Sequence, residues 1–273
     1  MKKLVILMVT LLMAITACFG LTACGDPESG IVDPRTKTIT IGYTDYQPMN
    51  YTENNVLVGF DTELAIMTFN ALGYKVRFKV IEWSNKYIEL NGGSIDCIWN
   101  GFTSNGEDDG VPRTENVDFS YNYMQNAQCI VRKNAPALSS VSQFQEKSIA
   151  FENGSGGESL ADSYAKEATL RKIGCTTQME AIQKVSTGSA DYAIVDVLLA
   201  EAVISGGGYA GLSINTGIEI PIEYYAIGFK KGSDLTAKVN VMLEAFAKTG
   251  YLAELAEKYN LENSVITNFD SQK

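Results

Sequence analysis

Apolar positions recur along this chain with two alternating periods. Residues 38–44, TITIGYT, alternate at the two-residue period of a strand. The next segment, DTELAIMTFNALGY, repeats at helical spacing, with Asp61 as N-cap, Leu64, Met67, Ala71 and Leu72 on one face, and Gly73 as the stop. KVRFKVIEW returns to alternation, turning Val76, Phe78 and Val80 to one side; a short helix runs from Ser84 to Gly92, and SIDCIWN reads as a buried strand. Strands and helices in alternation predict an α/β fold.

One unit occurs twice. GSIDCIWN (93–100) and GSADYAIVD (188–196) share Gly-Ser-x-Asp followed by a buried-looking strand, and each follows a helix. The second of these helices opens with a capping box, Thr177 and Glu180, and turns Ile182 and Val185 inward. Two copies of one unit predict two lobes built on one plan, with Asp96 and Asp191 in structural roles at the turns. QCIVRKNAPALS and EIPIEYYAIGFKKGSD, each an extended apolar run with a proline, read as the two crossings between lobes. The chain closes in helix, with one stripe of Leu235, Val239, Met242 and Phe246, a break at Gly250, and a second stripe of Leu252, Leu255 and Tyr259.

The first residues form an address: Lys2 and Lys3, then a short apolar run. LTAC, ending at Cys24, resembles a bacterial lipobox, as does ITAC ending at Cys18; cleavage without lipidation is the other reading. Cys24 is preferred because the Gly/Pro/Ser-bearing stretch behind it has the composition of a flexible tether. The chain carries a charge of −10, and loss of Lys2 and Lys3 leaves 20 basic residues against 32 acidic ones, a charge of −12. Such a surface repels phosphate backbones, so nucleic acid is excluded as a partner. The complete lack of histidine removes imidazole triads and histidine-ligated zinc. Cys97, Cys129 and Cys175 match no zinc spacing and are odd in number once Cys24 is set apart, so neither a cofactor nor a metal is expected.

Ligands of open α/β sheets bind beyond the carboxyl ends of the strands. At those ends lie Asn100 to Thr103 in one lobe and Asp196 in the other, with YTDYQPMNY and AFENGSGGES beside them. Thr103, Arg113 and the turn amides of NGSGG offer positive polarity, while Asp196 and Asp45 offer carboxylates and Tyr46 and Trp83 flat walls. Donors on one side and a carboxylate on the other suit a zwitterion such as an α-amino acid. Each residue also has a plainer role: Tyr46 and Trp83 as core, Asp196 as the N-cap of VLLAEAVI. Glu152 reads either as an exposed glutamate beside a turn or as a selector of a cationic side chain.

The order lipobox, GYTDYQPMNY, GFDTELA, IDCIWNGFT, VDFS, GSGGE and DYAIVD resembles the extracellular solute-binding proteins of polar amino-acid ABC importers, over residues 37 to 260. The resemblance implies a two-lobed clamshell of the type II periplasmic-binding-protein kind with two hinge crossings. It implies a leader over 1–23, a tether over 24–36, a first lobe from 37–131 and 226–273, and a second lobe from 132–225. It further implies a monomer anchored outside the membrane through lipidated Cys24, which captures a polar amino acid and delivers it to an ABC permease without being an enzyme. Carried over by position, Asp45 and Tyr46 lie at the first turn, Trp83 and Phe102 line the pocket, and the Gly101 carbonyl and Thr103 reach the ammonium. Ser155 and the Gly156 amide face the carboxylate, and Asp196 takes the ammonium.

Two departures stand out. The family places its carboxylate-binding arginine five residues after the position of Thr103, where this chain has Asp108. Counting back from VDFS puts Arg113 in that role, with NGEDD and its surroundings as an insertion of about five residues; the alternative is that turn amides alone hold the anion. Gly156 stands where a hydroxyl residue is common. A dehydratase acting on cyclohexadienyl acids and a ligand-presenting sensor are the rival functions on the same scaffold.

Overall fold

The computed structural model describes residues 37–134, 137–205, 207 and 209–273. The expected leader, the tether and both candidate lipidation sites, Cys18 and Cys24, lie outside them. The chain enters through β1 (Lys37–Tyr43), a small hairpin of β2 (Tyr51–Glu53) and β3 (Val56–Val58), α1 (Phe60–Ala71) and β4 (Tyr74–Val80). It continues through α2 (Lys86–Asn91), β5 (Cys97–Thr103), a second hairpin of β6 (Glu107–Asp108) and β7 (Val111–Pro112), β8 (Asp118–Phe119) and the long β9 (Met124–Lys133). There follow β10 (Ser148–Glu152), α3 (Gly156–Tyr164), β11 (Arg171–Cys175), α4 (Gln178–Thr187), β12 (Tyr192–Asp196), α5 (Val197–Ser205) and β13 (Leu212–Asn215). The last elements are β14 (Ile222–Phe229), α6 (Leu235–Thr249) and α7 (Tyr251–Lys258).

One sheet runs through both lobes in the order β11-β10-β12-β9-β14-β5-β1-β4. Within each lobe the inner strands are parallel, β4 and β5 beside β1 in the first and β11 and β12 beside β10 in the second. The two segments read as crossings are β9 and β14. They pair antiparallel with one another from Met124↔Tyr225 to Ala127↔Ile222. Beyond that overlap β9 pairs with β12 and β14 with β5. The two-lobed α/β expectation therefore holds, and the lobes share a backbone hydrogen-bond ladder instead of being tied by loose linkers.

The repeated unit does the same work in each lobe. Asp96 Oδ2 accepts from the N–H of Thr40 in β1 at 2.7 Å, and Asp191 Oδ2 accepts from the N–H and Oγ of Ser148 in β10 at 2.8 and 2.6 Å. In both copies the aspartate pins the turn before one parallel strand to its neighbour, at Thr40 within β1 and at Ser148 at the start of β10, which helps set the register of the pair. Both are structural, as expected.

Three expectations for the first lobe are corrected. Helix α1 begins at Phe60 behind Gly59, and Asp61 is buried in its first turn instead of capping it. Asp61 Oδ2 accepts from Gly101 N at 2.8 Å and from the Tyr123 hydroxyl at 2.9 Å, and burial pushes its pKa up to about 6. Met67 is exposed, because the inward stripe runs through Asp61, Leu64, Ala65, Thr68 and Phe69, one step to the side of the expected face. Val80 is exposed as well, since β4 is an edge strand and its last residue runs past the helices that cover Val76 and Phe78.

Gly59 fixes where α1 starts. Its φ of 123° belongs to glycine, and a Cβ there would stand 2.2 Å from the Met49 carbonyl oxygen. Gly59→Ala is expected to cost roughly 3 kcal/mol or more through strain and overlap, read as a lowered midpoint in urea unfolding; an unchanged midpoint would show that the Met49 loop moves aside freely.

Candidate functional site

The register of the shared sheet lines up one polar row across the hinge. Asp196 on β12 lies opposite Gln128 on β9, Asn126 on β9 lies opposite Glu223 on β14, and Tyr225 on β14 lies opposite Thr103 on β5. Residues two apart on a strand share a face, so Asn126 with Gln128, and Glu223 with Tyr225, point the same way. Asn126 Nδ2 donates to Asp196 Oδ1 at 2.7 Å and to Glu223 Oε2 at 3.0 Å; Gln128 Nε2 donates to the same two oxygens at 2.7 and 2.9 Å. Thr103 Oγ1 donates to Glu223 Oε2 at 3.1 Å. Thr103 and Asp196, the two strand ends expected to face one another, are thus joined through side chains of the hinge itself.

Asp196 is held on its other oxygen by Gln178 Nε2, while Gln178 Oε1 accepts from the Asp196 N–H at 2.7 Å. Burial, and then the charge of Glu223, push the Asp196 carboxyl up to about 6. The Tyr46 and Tyr225 hydroxyls meet at 2.6 Å beside it, each phenol raised well above its ordinary range by burial and by Asp196. Gly101 completes this floor: a Cβ there would lie 2.7 Å from the Tyr46 ring and 2.9 Å from that of Tyr225.

The positive side is built by the loop between Thr103 and β8. Residues 107–112 fold into β6 and β7, turning at Asp109 and Gly110, and Arg113, itself buried, opens a single turn of 3-10 helix whose other residues are exposed. Asp108 bends back onto the guanidinium, with Nε to Oδ1 at 3.0 Å and Nη2 to Oδ1 at 2.9 Å. Arg113 also donates from Nη1 to the Thr103 carbonyl at 3.2 Å and from Nη2 to the Gly154 carbonyl at 3.4 Å. Buried Lys86 shares both partners, donating to Gly154 O at 3.0 Å and pairing with Asp108 at 3.2 Å. Burial and the neighbouring Arg113 bring the Lys86 ammonium down to about 8.

The turn before α3 supplies the facing amides. Ser155 caps the helix, its Oγ accepting from Gly157 N and Glu158 N at 3.1 and 3.3 Å, and Glu158 takes the Gly154 amide at 2.7 Å. These bonds leave the Gly156 amide, at the first position of the helix, for an incoming anion. A Cβ on Gly156 would lie 2.7 Å from Glu223 Oε1 and 2.9 Å from Gln128 Nε2, so the room that a hydroxyl residue would take there is filled by the hinge row. Glu152, one turn earlier, is fully buried, its Oε1 has no hydrogen-bond partner, and burial followed by the charge of Asp196 pushes its pKa up to about 8 against the pull of Lys86.

Eight of the ten residues expected at the site line one cavity: Tyr46, Trp83, Gly101, Thr103, Arg113, Ser155, Gly156 and Asp196. Asp45 and Phe102 do not. Asp45 is exposed on the turn, and Phe102, alternating with Thr103 along β5, faces the other way, where it backs the Trp83 ring at 5.3 Å and the Arg113 guanidinium at 5.3 Å. Thr44, Asn100, Glu152 and Gln178 complete the lining. The cavity measures about 10 Å³ for the centre of a water-sized sphere, room for little more than one water. Sequence reasoning missed Glu223, Asn126 and Gln128. The signal for the first is a lone acid inside the apolar run IPIEYYAIGF; for the amides it is their two-residue spacing within β9.

Residues 39–262 match the model of the bacterial extracellular solute-binding proteins, family 3. The arginine-binding extracellular protein ArtP of Bacillus subtilis is 27% identical over 91% of this chain and 96% of its own. Among solved structures, an ancestral arginine-binding protein bound to arginine is 29% identical with a TM-score of 0.75, over 82% of this chain and 99% of that one. The ancestral amino acid-binding protein AncCDT-1, a precursor of cyclohexadienyl dehydratase, is 27% identical with a TM-score of 0.72, over 81% and 95%. With the two-lobed sheet, the polar cavity between the lobes and a family match spanning nearly every described residue, the chain belongs to the bacterial extracellular solute-binding proteins, family 3.

Proposed function

We propose that this protein is the extracytoplasmic substrate-binding component of an ABC importer: it encloses a polar amino acid between its lobes and hands it to a membrane permease. The observation that carries this reading is the lining of the cavity, which gathers the Arg113 guanidinium, the Gly156 amide and the Asp196 carboxylate around one polar space. The α-carboxylate lies against the guanidinium, the Gly156 amide and the Ser155 hydroxyl. The α-ammonium lies against Asp196, Thr103 and the Gly101 carbonyl, with Tyr46 and Trp83 as walls. The first lobe comprises 37–131 and 226–273 and the second 132–225, with a lipid at Cys24 holding a monomer to the membrane.

An amino acid is many times larger than the enclosed space, so entry requires the lobes to part about β9 and β14. Contacts from both lobes then reach the ligand together only when they close again, and this difference in contacts favours the closed form.

Calorimetric titration with the twenty amino acids and cystine tests the reading; each charge-assisted bond at the site is worth about 1.5–3 kcal/mol. Asp196→Asn and Arg113→Ala are each expected to weaken the best ligand at least tenfold, and unchanged affinity in both would remove this assignment. Affinity is also expected to depend on pH. Asp196 must be ionised to meet an ammonium, and its carboxyl stands at about 6, so binding should weaken about tenfold for each unit below that value. A flat profile between pH 5 and 7.5 would take Asp196 out of the ammonium site.

A further inference from the structure

The zwitterion accounts for Asp196 and leaves two carboxylates of the cleft without a role. Glu152 is fully buried, lines the cavity and carries an oxygen with no donor. A buried polar atom left unpaired is destabilising, and more so when charged, so the chain retains here a group that sheer stability would replace. Lys86, the cation that acts on Glu152, is directed elsewhere, to the Gly154 carbonyl and Asp108. Glu223 stands on the hinge with Oε2 fixed by Thr103, Asn126 and Gln128, and it fills the space that Gly156 leaves open.

The charges around the cavity are unequal. Arg113 and Lys86 share Asp108 and so present one net positive charge, whereas Asp196, Glu223 and Glu152 present up to three negative ones. A ligand with a neutral side chain brings no net charge to this imbalance; one with a second cationic group brings a charge that buried carboxylates attract strongly.

We infer that the cleft takes an amino acid with a positively charged side chain, its ammonium or guanidinium paired with Glu152 and its α-ammonium held between Asp196 and Glu223. The inference rests on the amino-acid reading above and adds the class of side chain. It gives the exchange of a hydroxyl residue for Gly156 a purpose: without a side chain at that position, the second carboxylate of the ammonium site has room. It also explains why Asn126 and Gln128 each donate to both acids, since the amides hold the two like charges side by side, where a cation can meet both.

Titration calorimetry of the full chain with L-arginine, L-lysine, L-citrulline and L-glutamine tests this, because citrulline keeps the shape of arginine without its charge. Arginine or lysine is expected to bind about 50-fold or more tightly than citrulline, the worth of one buried charge-assisted pair. Glu152→Gln should cut that ratio to below about tenfold, because loss of the carboxylate weakens the cationic ligands more than citrulline. Glu223→Gln should weaken all four alike, since it touches the group they share. Citrulline or glutamine binding as tightly as arginine overturns the inference and leaves the amino-acid reading intact; heat from no amino acid overturns both. If Glu152→Gln fails to fold, the ratio of arginine to citrulline on the unaltered chain decides alone.

Discussion

Two carboxylates held together by two amides are the constraint around which the cleft is organised. Asp196 and Glu223 each accept from Asn126 and from Gln128, which brings their oxygens to within about 5.6 Å of one another, the sum of 2.7 and 2.9 Å through the shared Gln128 nitrogen. Unit charges that close repel by about 3 kcal/mol at an effective dielectric constant near 20. Four charge-assisted hydrogen bonds offset this only because β9 lies between the two acids in the sheet, so the order β12-β9-β14 is what makes the arrangement possible. Shift either pairing by one residue and one member of the row turns to the opposite face. The continuous sheet, the hinge position and the polarity of the cavity are therefore one requirement expressed at three scales.

The positive end is organised differently. Its guanidinium follows directly on the β6–β7 hairpin, and the hairpin brings its own counter-ion, Asp108, which also steadies Lys86. The result is a cation fixed in place with part of its charge already answered. Behind it, the buried Asp61 holds the Gly101 amide and the Tyr123 hydroxyl, so the end of β5 is pinned from the core while its other face meets the cleft.

Much of this was legible in the chain. Alternating strand and helix periods gave the α/β class, and the recurrence of Gly-Ser-x-Asp marked the strand of each lobe that ends at the cleft. Counting back from VDFS pointed to Arg113, and the fold brings its side chain to the cavity. What was not legible depended on facing. Phe102 and Thr103 are adjacent letters on opposite sides of a strand, and Met67 sits one step off a helical stripe whose true centre is set by Ala65 and Phe69. Glu223 was hidden for another reason: its environment is made by β9, nearly a hundred residues earlier, and no local pattern encodes that pairing.

The carbonyl of Gly154 is a point of mechanical linkage. It accepts from both Lys86 and Arg113, so a single oxygen of the second lobe receives two cations of the first. Parting the lobes by even an ångström or two breaks both bonds at once, since they end on the same atom. Partial opening then keeps neither contact, while the Ser159 hydroxyl, which donates to the Glu107 carbonyl at 2.9 Å, makes a separate tie between the same two faces.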